Sequence, residues 1–435
     1  MISTTEKLTR VFGIHQFIHW FSIGIIIPIL TLFLMSKGLD LFQVAICLSI
    51  STVAIFLFEL PTGGLADQIG RVKVYLISIF FSLSAISLLL FSDHIILLMA
   101  AMGLLGIARS LSTGTIDAWF IDQFQKLSPK GDLQASLAKI EIGITMGLGL
   151  GSLLGGVLPM LSVQANLERY TINIIFIICS YLLVALFTII WIREPKGAAF
   201  VGIINGFSNL PVVLKDAYHF GFRHPGIFLL ISATAFWGFS ISGLEAFWQP
   251  QVKSILGSEE QSWIFGILGG GYFFAAALGS IIITPICRFF KQRYAVILFF
   301  FRFTMGISFI ALAYQTKLWG FGLFYFVLFM QNGMLNSPHQ SLFHEIVPSE
   351  KRSTLISLES LFMSLGAMGG GPMLGWLANT ESIRFAWIIA GIVFAGSGIC
   401  YLLFNHFSKL QKTHSIHVIT KQLRDIIPFN KFHLE

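Results

Sequence analysis

Gly63–Arg71 reads GGLADQIGR and lies between two apolar runs, at 41–62 and 73–92. Each run has about 20 residues, the length that an α-helix needs to cross the hydrocarbon core of a bilayer. Glycine permits a tight backbone turn, and the charges of Asp67 and Arg71 favour the polar edge of the membrane. The stretch therefore predicts a short loop between two antiparallel membrane helices.

The rest of the chain repeats this arrangement of apolar runs and short polar connections. Of its 435 residues, 55% are hydrophobic and only 11% are charged, whereas soluble proteins carry about a quarter charged residues. The sequence therefore predicts an all-α polytopic membrane protein with 12 transmembrane helices, whose main environment is the lipid bilayer. The twelve apolar runs lie near 11–35, 41–62, 73–92, 95–121, 134–160, 170–192, 226–249, 262–287, 293–313, 318–343, 354–378 and 384–405.

The 28 lysine and arginine residues are distributed unevenly among the connections between these runs. If the N-terminus is cytoplasmic, 20 of them fall in cytoplasmic segments, 5 in outer loops and 3 within helices. This bias is the positive-inside pattern of membrane proteins. It predicts a multi-pass protein of the cell's inner membrane with both termini in the cytoplasm. It also explains the net charge of +7 without a nucleic-acid partner.

The longest interval between apolar runs divides the twelve helices six and six. We therefore expect four regions: an N-terminal six-helix bundle, a cytoplasmic linker, a C-terminal six-helix bundle and a cytoplasmic tail. Their predicted boundaries are 1–192, 193–224, 225–405 and 406–435.

The two halves also resemble each other weakly in their polar residues. A shift of 223 residues places Arg109, Thr113, Asp117 and Asp122 of helix 4 over Asn332, Asn336, Gln340 and Glu345 of helix 10. A parallel repeat of this kind predicts two pseudo-symmetric bundles with a substrate site between them, near the middle of the membrane.

The stretch at 63–71 resembles the loop signature of the major facilitator superfamily, Gly-x-Leu-Ala-Asp-Arg-x-Gly-Arg-Lys. It departs at Gln68, where the family prefers arginine, and at Val72, after which Lys73 comes one residue late. The resemblance implies a transporter in which this region latches the two bundles together in the outward-facing state. A plain turn with solvated charges is the alternative interpretation. The predicted conformational gate consists of Gly63, Asp67, Gly70, Arg71 and Asp122.

Two further motifs resemble those of drug-exporter-like members of this superfamily. The sequence Glu-Leu-Pro-Thr at 59–62 is similar to a variant common among them, and the antiporter motif has a counterpart at 147–156, where Ser152 replaces a proline. Glycines four residues apart create a smooth helix face that allows close approach, so packing alone is the alternative. The predicted helix-packing residues are Gly147, Gly151, Gly155, Gly371, Pro372 and Gly375.

Helix 4 places Arg109, Thr113 and Asp117 four residues apart, which predicts a polar stripe on one side of the helix. Buried charges are costly, so this stripe is expected to face the interior or a wet cavity. Arg109 also matches the arginine of the family's fourth-helix motif, which is associated with proton coupling. We expect proton coupling to involve Asp117, Arg109 and Glu59. A purely structural ion pair is the alternative.

The substrate cavity is expected to be lined by polar and aromatic side chains from both halves. We predict no metal site, because His15 and His19 of the first helix, without nearby carboxylates or cysteines, are weak evidence for one. The sequence contains no phosphate-binding Gly-x-x-x-x-Gly-Lys-Ser/Thr loop and no catalytic cluster, so neither an enzyme nor a cofactor is expected. The predicted cavity residues are His19, Trp20, Thr113, Glu141, Trp237, Asn332, Asn336 and Glu359.

Together these features predict a secondary active transporter that moves a small organic molecule by alternating access. Proton-coupled export, as in an antiporter for drug or metabolite efflux, is the leading hypothesis. The alternatives are an uptake permease for a nutrient or metabolite and, with less support, a non-transporting membrane receptor. We expect protons and a small-molecule substrate as partners, and a monomeric protein.

Overall fold

The computed structural model describes residues 4–129, 131–192, 224–347 and 352–407, without the side chains of 60–68 and 352–354. Within these ranges, 11 helices are long and apolar enough to cross a membrane. The number reaches 12 if the first two helices, bent by 45° at a short break, count as one span.

Over residues 4–129 and 131–192 the first bundle contains eight helices, because two of its six spans are interrupted. One interruption is the bend between α1 and α2, and the other lies between α5 and α6. The helices are α1 (Thr4–Ile26), α2 (Leu30–Ser36), α3 (Leu41–Ile69), α4 (Arg71–Phe91), α5 (Ile95–Ser112), α6 (Thr115–Leu127), α7 (Leu133–Gln164) and α8 (Thr171–Trp191).

The second bundle repeats the helix pairing of the first. In the first bundle α1 packs on α7 and α3 on α5, and in the second α9 packs on α13 and α10 on α12. After α14 the chain remains helical through Phe407 within the same span. The helices of this bundle are α9 (Pro225–Leu256), α10 (Trp263–Phe289), α11 (Tyr294–Ala313), α12 (Leu318–Ile346), α13 (Arg352–Thr380) and α14 (Ile383–Ser397).

The prediction of a loop over 63–71 is wrong, because α3 continues through Ile69 and α4 begins at Arg71. The turn consists of Gly70 alone, which has φ 101° and ψ 136°. Residues other than glycine rarely adopt such a positive φ. The other glycines of the stretch stay helical, since nothing in a helix interior requires them to leave it.

The prediction of one continuous polar stripe on helix 4 is also wrong. The helix is interrupted at Thr113 and Gly114, and Gly114 has a left-handed conformation with φ 74°. The Thr113 hydroxyl donates a hydrogen bond to the Arg109 carbonyl oxygen (2.7 Å), which caps the end of α5. Arg109 and Asp117 therefore belong to two different helices, α5 and α6.

Glycines set how closely the helices approach. Gly147, Gly151 and Gly155 of α7 face α1, where an added methyl group would overlap the backbone carbonyl oxygens of residues 17, 21 and 25. Their neighbour Gly156 faces Gly266 of α10, in the other bundle. One run of glycines in α7 thus serves packing within its own bundle and packing between the bundles.

Candidate functional site

The two bundles meet where α7 packs on α10 and α3 packs on α13. Ser262, at the start of α10, donates a hydrogen bond to the Gly156 carbonyl oxygen (2.7 Å). In α13, Gly371 lies against Ser49 of α3, and Gly375 lies against Ala45. These contacts are at the end of the molecule that carries the connections at 37–40, 165–170, 257–262 and 381–382. We refer to it as the closed end.

A cluster of charged side chains ties the connections of the closed end together. The Tyr170 hydroxyl donates to a carboxylate oxygen of Glu259 in the opposite bundle (2.6 Å). Arg169 pairs with the same carboxylate (3.5 Å) and donates to the Glu259 carbonyl oxygen (3.0 Å), and Lys253 forms a further ion pair with Glu259. Burial, together with the Glu259 carboxylate, raises the pKa of Tyr170 above its ordinary value.

Arg109 interacts electrostatically with acidic side chains of both bundles. Its side chain is exposed. It lies within electrostatic range of Glu59 in its own bundle and of Glu245 in the other. Trp237 of α9 donates to the side-chain oxygen of Asn332 in α12 (2.7 Å), so these two predicted cavity residues are in direct contact.

Asp117 has a different neighbourhood from the one that the sequence suggested. It is exposed in the first turn of α6 and accepts a hydrogen bond from the side-chain amide of Gln16 in α1 (2.5 Å). Glu141 of α7 lies within electrostatic range of it. Among the described side chains, Gln16 rather than Arg109 is its hydrogen-bond partner. A carboxylate placed this way can take up and release a proton without breaking a direct bond to arginine.

The remaining predicted cavity residues fall into two groups. His19 is buried within the first bundle, where its Nδ1 lies 2.9 Å from the Tyr75 hydroxyl, and Trp20 packs edge-on against it. Thr113 and Asn336 are exposed. The structure thus places His19 in a packed hydrogen-bonding network, away from an open surface.

Glu359 is buried in a network that the sequence did not reveal. Its carboxylate lies 2.8 Å from His339 Nε2 and accepts from the amide of Gln340 (3.1 Å). The Tyr401 hydroxyl lies 2.8 Å from His339 Nδ1, and Arg302 donates to the same hydroxyl (3.3 Å). The network connects α11, α12, α13 and the helical segment after α14, and so ties four spans of the second bundle.

Among the predicted gate residues, Arg71 and Asp122 form an ion pair (2.7 Å) between the start of α4 and α6. Gly70 forms the turn before Arg71. The side chain of Asp67 and the surroundings of Gly63 lie outside the described part of the structure. Their role in a latch therefore stays a prediction.

Comparisons with known proteins place these features in a family of transporters. Over 382 residues the chain is 23% identical to an uncharacterized MFS-type transporter, YxaM, of Bacillus subtilis (strain 168), a match that covers 85% of this chain and 89% of the relative. The nucleoside transporter NupG has a similar crystal structure, with a TM-score of 0.71 at 15% identity, and the similarity covers 92% of this chain and 99% of NupG.

A bacterial homolog of the human lysosomal transporter Spinster, in an inward-facing and occupied conformation, has a TM-score of 0.73 at 15% identity, over 92% of this chain and 97% of that one. These likenesses confirm the predicted all-α membrane fold of two bundles. The profile of the Major Facilitator Superfamily matches residues 12–258 and 228–427. The chain therefore belongs to the Major Facilitator Superfamily and is a transporter rather than an enzyme.

Proposed function

We propose that the protein exports a small organic molecule in exchange for protons, as an antiporter in the inner membrane. The observation that carries the proposal is the position of Asp117, an exposed carboxylate that is held by Gln16 and stands apart from Arg109. A proton on Asp117 changes the charge of the interior, and a substrate then has different affinities for the two conformations. Such a difference in affinity is what coupling requires.

Arg109 complements Asp117 because it acts on carboxylates of both bundles, Glu59 and Glu245. A guanidinium within electrostatic range of two carboxylates is attracted more strongly when both are ionised. Protonation of Glu59 weakens this attraction within the first bundle and leaves Arg109 available to Glu245. Glu59 is therefore the second candidate for the coupling proton.

We also propose an orientation of the protein in the membrane. With both termini and the 193–224 linker in the cytoplasm, the closed end is the outer end. The substrate then reaches the interior from the cytoplasm, between the N-terminal bundle at 1–192 and the C-terminal bundle at 225–405. The partners in this scheme are protons and one small molecule in a monomer surrounded by lipid.

The test uses purified protein in proteoliposomes with an imposed pH gradient. Ethidium serves as an amphipathic organic probe and uridine as a nutrient-like probe, since NupG is a nucleoside transporter. We expect ethidium to move against its gradient in exchange for protons, and Asp117→Asn to abolish this movement while leaving binding measurable. Asp132→Asn is the matched control, because Asp132 is a carboxylate that caps α7 through Ala135 (2.9 Å).

Two outcomes contradict the proposal. If Asp117→Asn still concentrates ethidium with an unchanged pH dependence, Asp117 is not the coupling site, and Glu59 takes its place. If uridine enters together with protons and ethidium does not move, the protein is an uptake permease.

A further inference from the structure

The first membrane span is broken at Pro28, between the end of α1 at Ile26 and the start of α2 at Leu30. Proline has no backbone N–H, so the Gly24 carbonyl oxygen loses its usual partner four residues later. Ser152 of α7 donates its hydroxyl hydrogen to this oxygen (3.1 Å). One of the groups freed by the break is thus satisfied from within the first bundle.

Two further backbone groups that the break leaves without a helical partner, the Ile27 carbonyl oxygen and the Thr31 N–H, form hydrogen bonds with the other bundle. In a continuous helix the Thr31 N–H would donate to the Ile27 carbonyl oxygen, four residues earlier. Here Gln249 of α9 donates its side-chain N–H to the Ile27 oxygen (2.7 Å) and accepts from the N–H groups of Thr31 (2.9 Å) and Leu32 (3.4 Å). The amide of Gln249 occupies the place of the missing helical hydrogen bond.

These groups have no solvent alternative in this conformation. Gln249 is 2% exposed, Thr31 1% and Leu32 2%. Lipid cannot replace a lost backbone hydrogen bond, and a side chain that accepts from the first N–H groups of a helix acts as its cap. The second bundle can therefore supply the hydrogen bonds missing at the bend only while the two bundles meet at the closed end.

We propose that Gln249 is the positioning residue that keeps this end closed, by completing the bent first helix of the opposite bundle. Opening withdraws the amide and leaves the Ile27 oxygen and the Thr31 N–H to pair with each other. That pairing reduces the 45° bend, while Pro28 keeps a smaller kink, so the bend and the closure change together. The inference rests on the proposed alternating access, but it does not depend on which ion drives transport.

Ser152 provides the matched comparison. It supports the same break with a side-chain hydrogen bond, but from α7 of the same bundle, so its bond does not have to break when the bundles separate. Loss of Ser152 weakens the protein in both conformations equally. Loss of Gln249 weakens the closed one selectively.

The test measures distances across the closed end in purified protein reconstituted in nanodiscs. Spin labels are placed at the exposed positions Leu167 and Glu381, one in each bundle, after replacement of the four native cysteines. Gln249→Met keeps the length of the side chain and removes its amide. We expect this variant to shift the ratio of closed to open molecules by about tenfold toward open, as for loss of a buried hydrogen bond. Ser152→Ala should leave the ratio near that of the parent protein.

Cysteine alkylation in native membranes reports the opening of the same end without purification, through the accessibility of a thiol. In the same background without native cysteines, Ser49→Cys places a thiol at the buried contact between α3 and Gly371, so a membrane-impermeant maleimide reaches it only when the closed end opens. Labelling should rise about tenfold in the Gln249→Met background. An unchanged distance distribution and unchanged labelling, or an equal change in Ser152→Ala, would overturn the inference. Neither readout requires substrate or a pH gradient, so failure of proton coupling would leave it intact.

Discussion

Removal of one hydroxyl group, in Tyr401→Phe, tests whether the buried network of the second bundle stabilises the protein. The hydroxyl lies 2.8 Å from His339 Nδ1 and 3.3 Å from a donor nitrogen of Arg302, and Tyr401 is 0% exposed. Phenylalanine keeps the ring and leaves the imidazole nitrogen with no partner. A buried group deprived of its hydrogen bond costs about 1–3 kcal/mol.

The second contact adds less, because 3.3 Å is long for a hydrogen bond. Arg302 also keeps its bond to Ser397 (3.3 Å) and its place over the Phe394 ring, at 4.7 Å from the ring centroid. The expected loss of unfolding free energy is therefore about 2–3 kcal/mol. This corresponds to a change of roughly 30- to 140-fold in the ratio of folded to unfolded protein.

Tyr325→Phe is the matched control for this experiment. Tyr325 is also 0% exposed, but within the described chain its hydroxyl has no hydrogen-bond partner. Removal of that group should be neutral or slightly stabilising, because nothing is left unpaired. Reversible unfolding in bicelles, followed by tryptophan fluorescence, measures both variants. Equal effects of the two substitutions would refute the role of the network.

The sequence was sufficient to predict the fold because that prediction rests on the length of the apolar runs. A run of about 20 apolar residues has few alternatives to a membrane helix, whatever its neighbours are. The positions of the breaks were harder to predict. Glycines at 63 and 64 remain within a helix, whereas Gly70 and Gly114 adopt positive φ values. Which glycine turns depends on the packing of the helices around it, and no local pattern carries that information.

The polar contacts were also hard to predict from the sequence, because they depend on the packing of distant helices. Arg302 has no obvious partner along the chain, and its partners Ser397 and Tyr401 are 95 and 99 residues away. The predicted polar stripe of Arg109, Thr113 and Asp117 relied on helical spacing, which the break at Gly114 interrupts. Gln249 carried no signal in the sequence, because its role depends on a backbone break in a helix 218 residues earlier.

Two further predictions concern the closed end. Gly156→Ala places a methyl group against the backbone of Gly266, so it should shift the ratio of closed to open molecules toward open in the same distance measurement. Gly369→Ala is the control and should leave the ratio unchanged, because a methyl group there meets no atom within 4 Å. Tyr170→Phe tests the pH dependence of the contact with Glu259. The pKa of Tyr170 is raised in the folded protein, so its stabilising effect is complete below the ordinary tyrosine pKa of about 10 and is lost only as the pH rises through the raised value. The parent protein should therefore stay closed from pH 7 to about pH 10 and open above that range. Below about pH 10, Tyr170→Phe should be more open than the parent protein, and it should lack this alkaline transition. An unchanged transition in the variant would assign the pH dependence to another group.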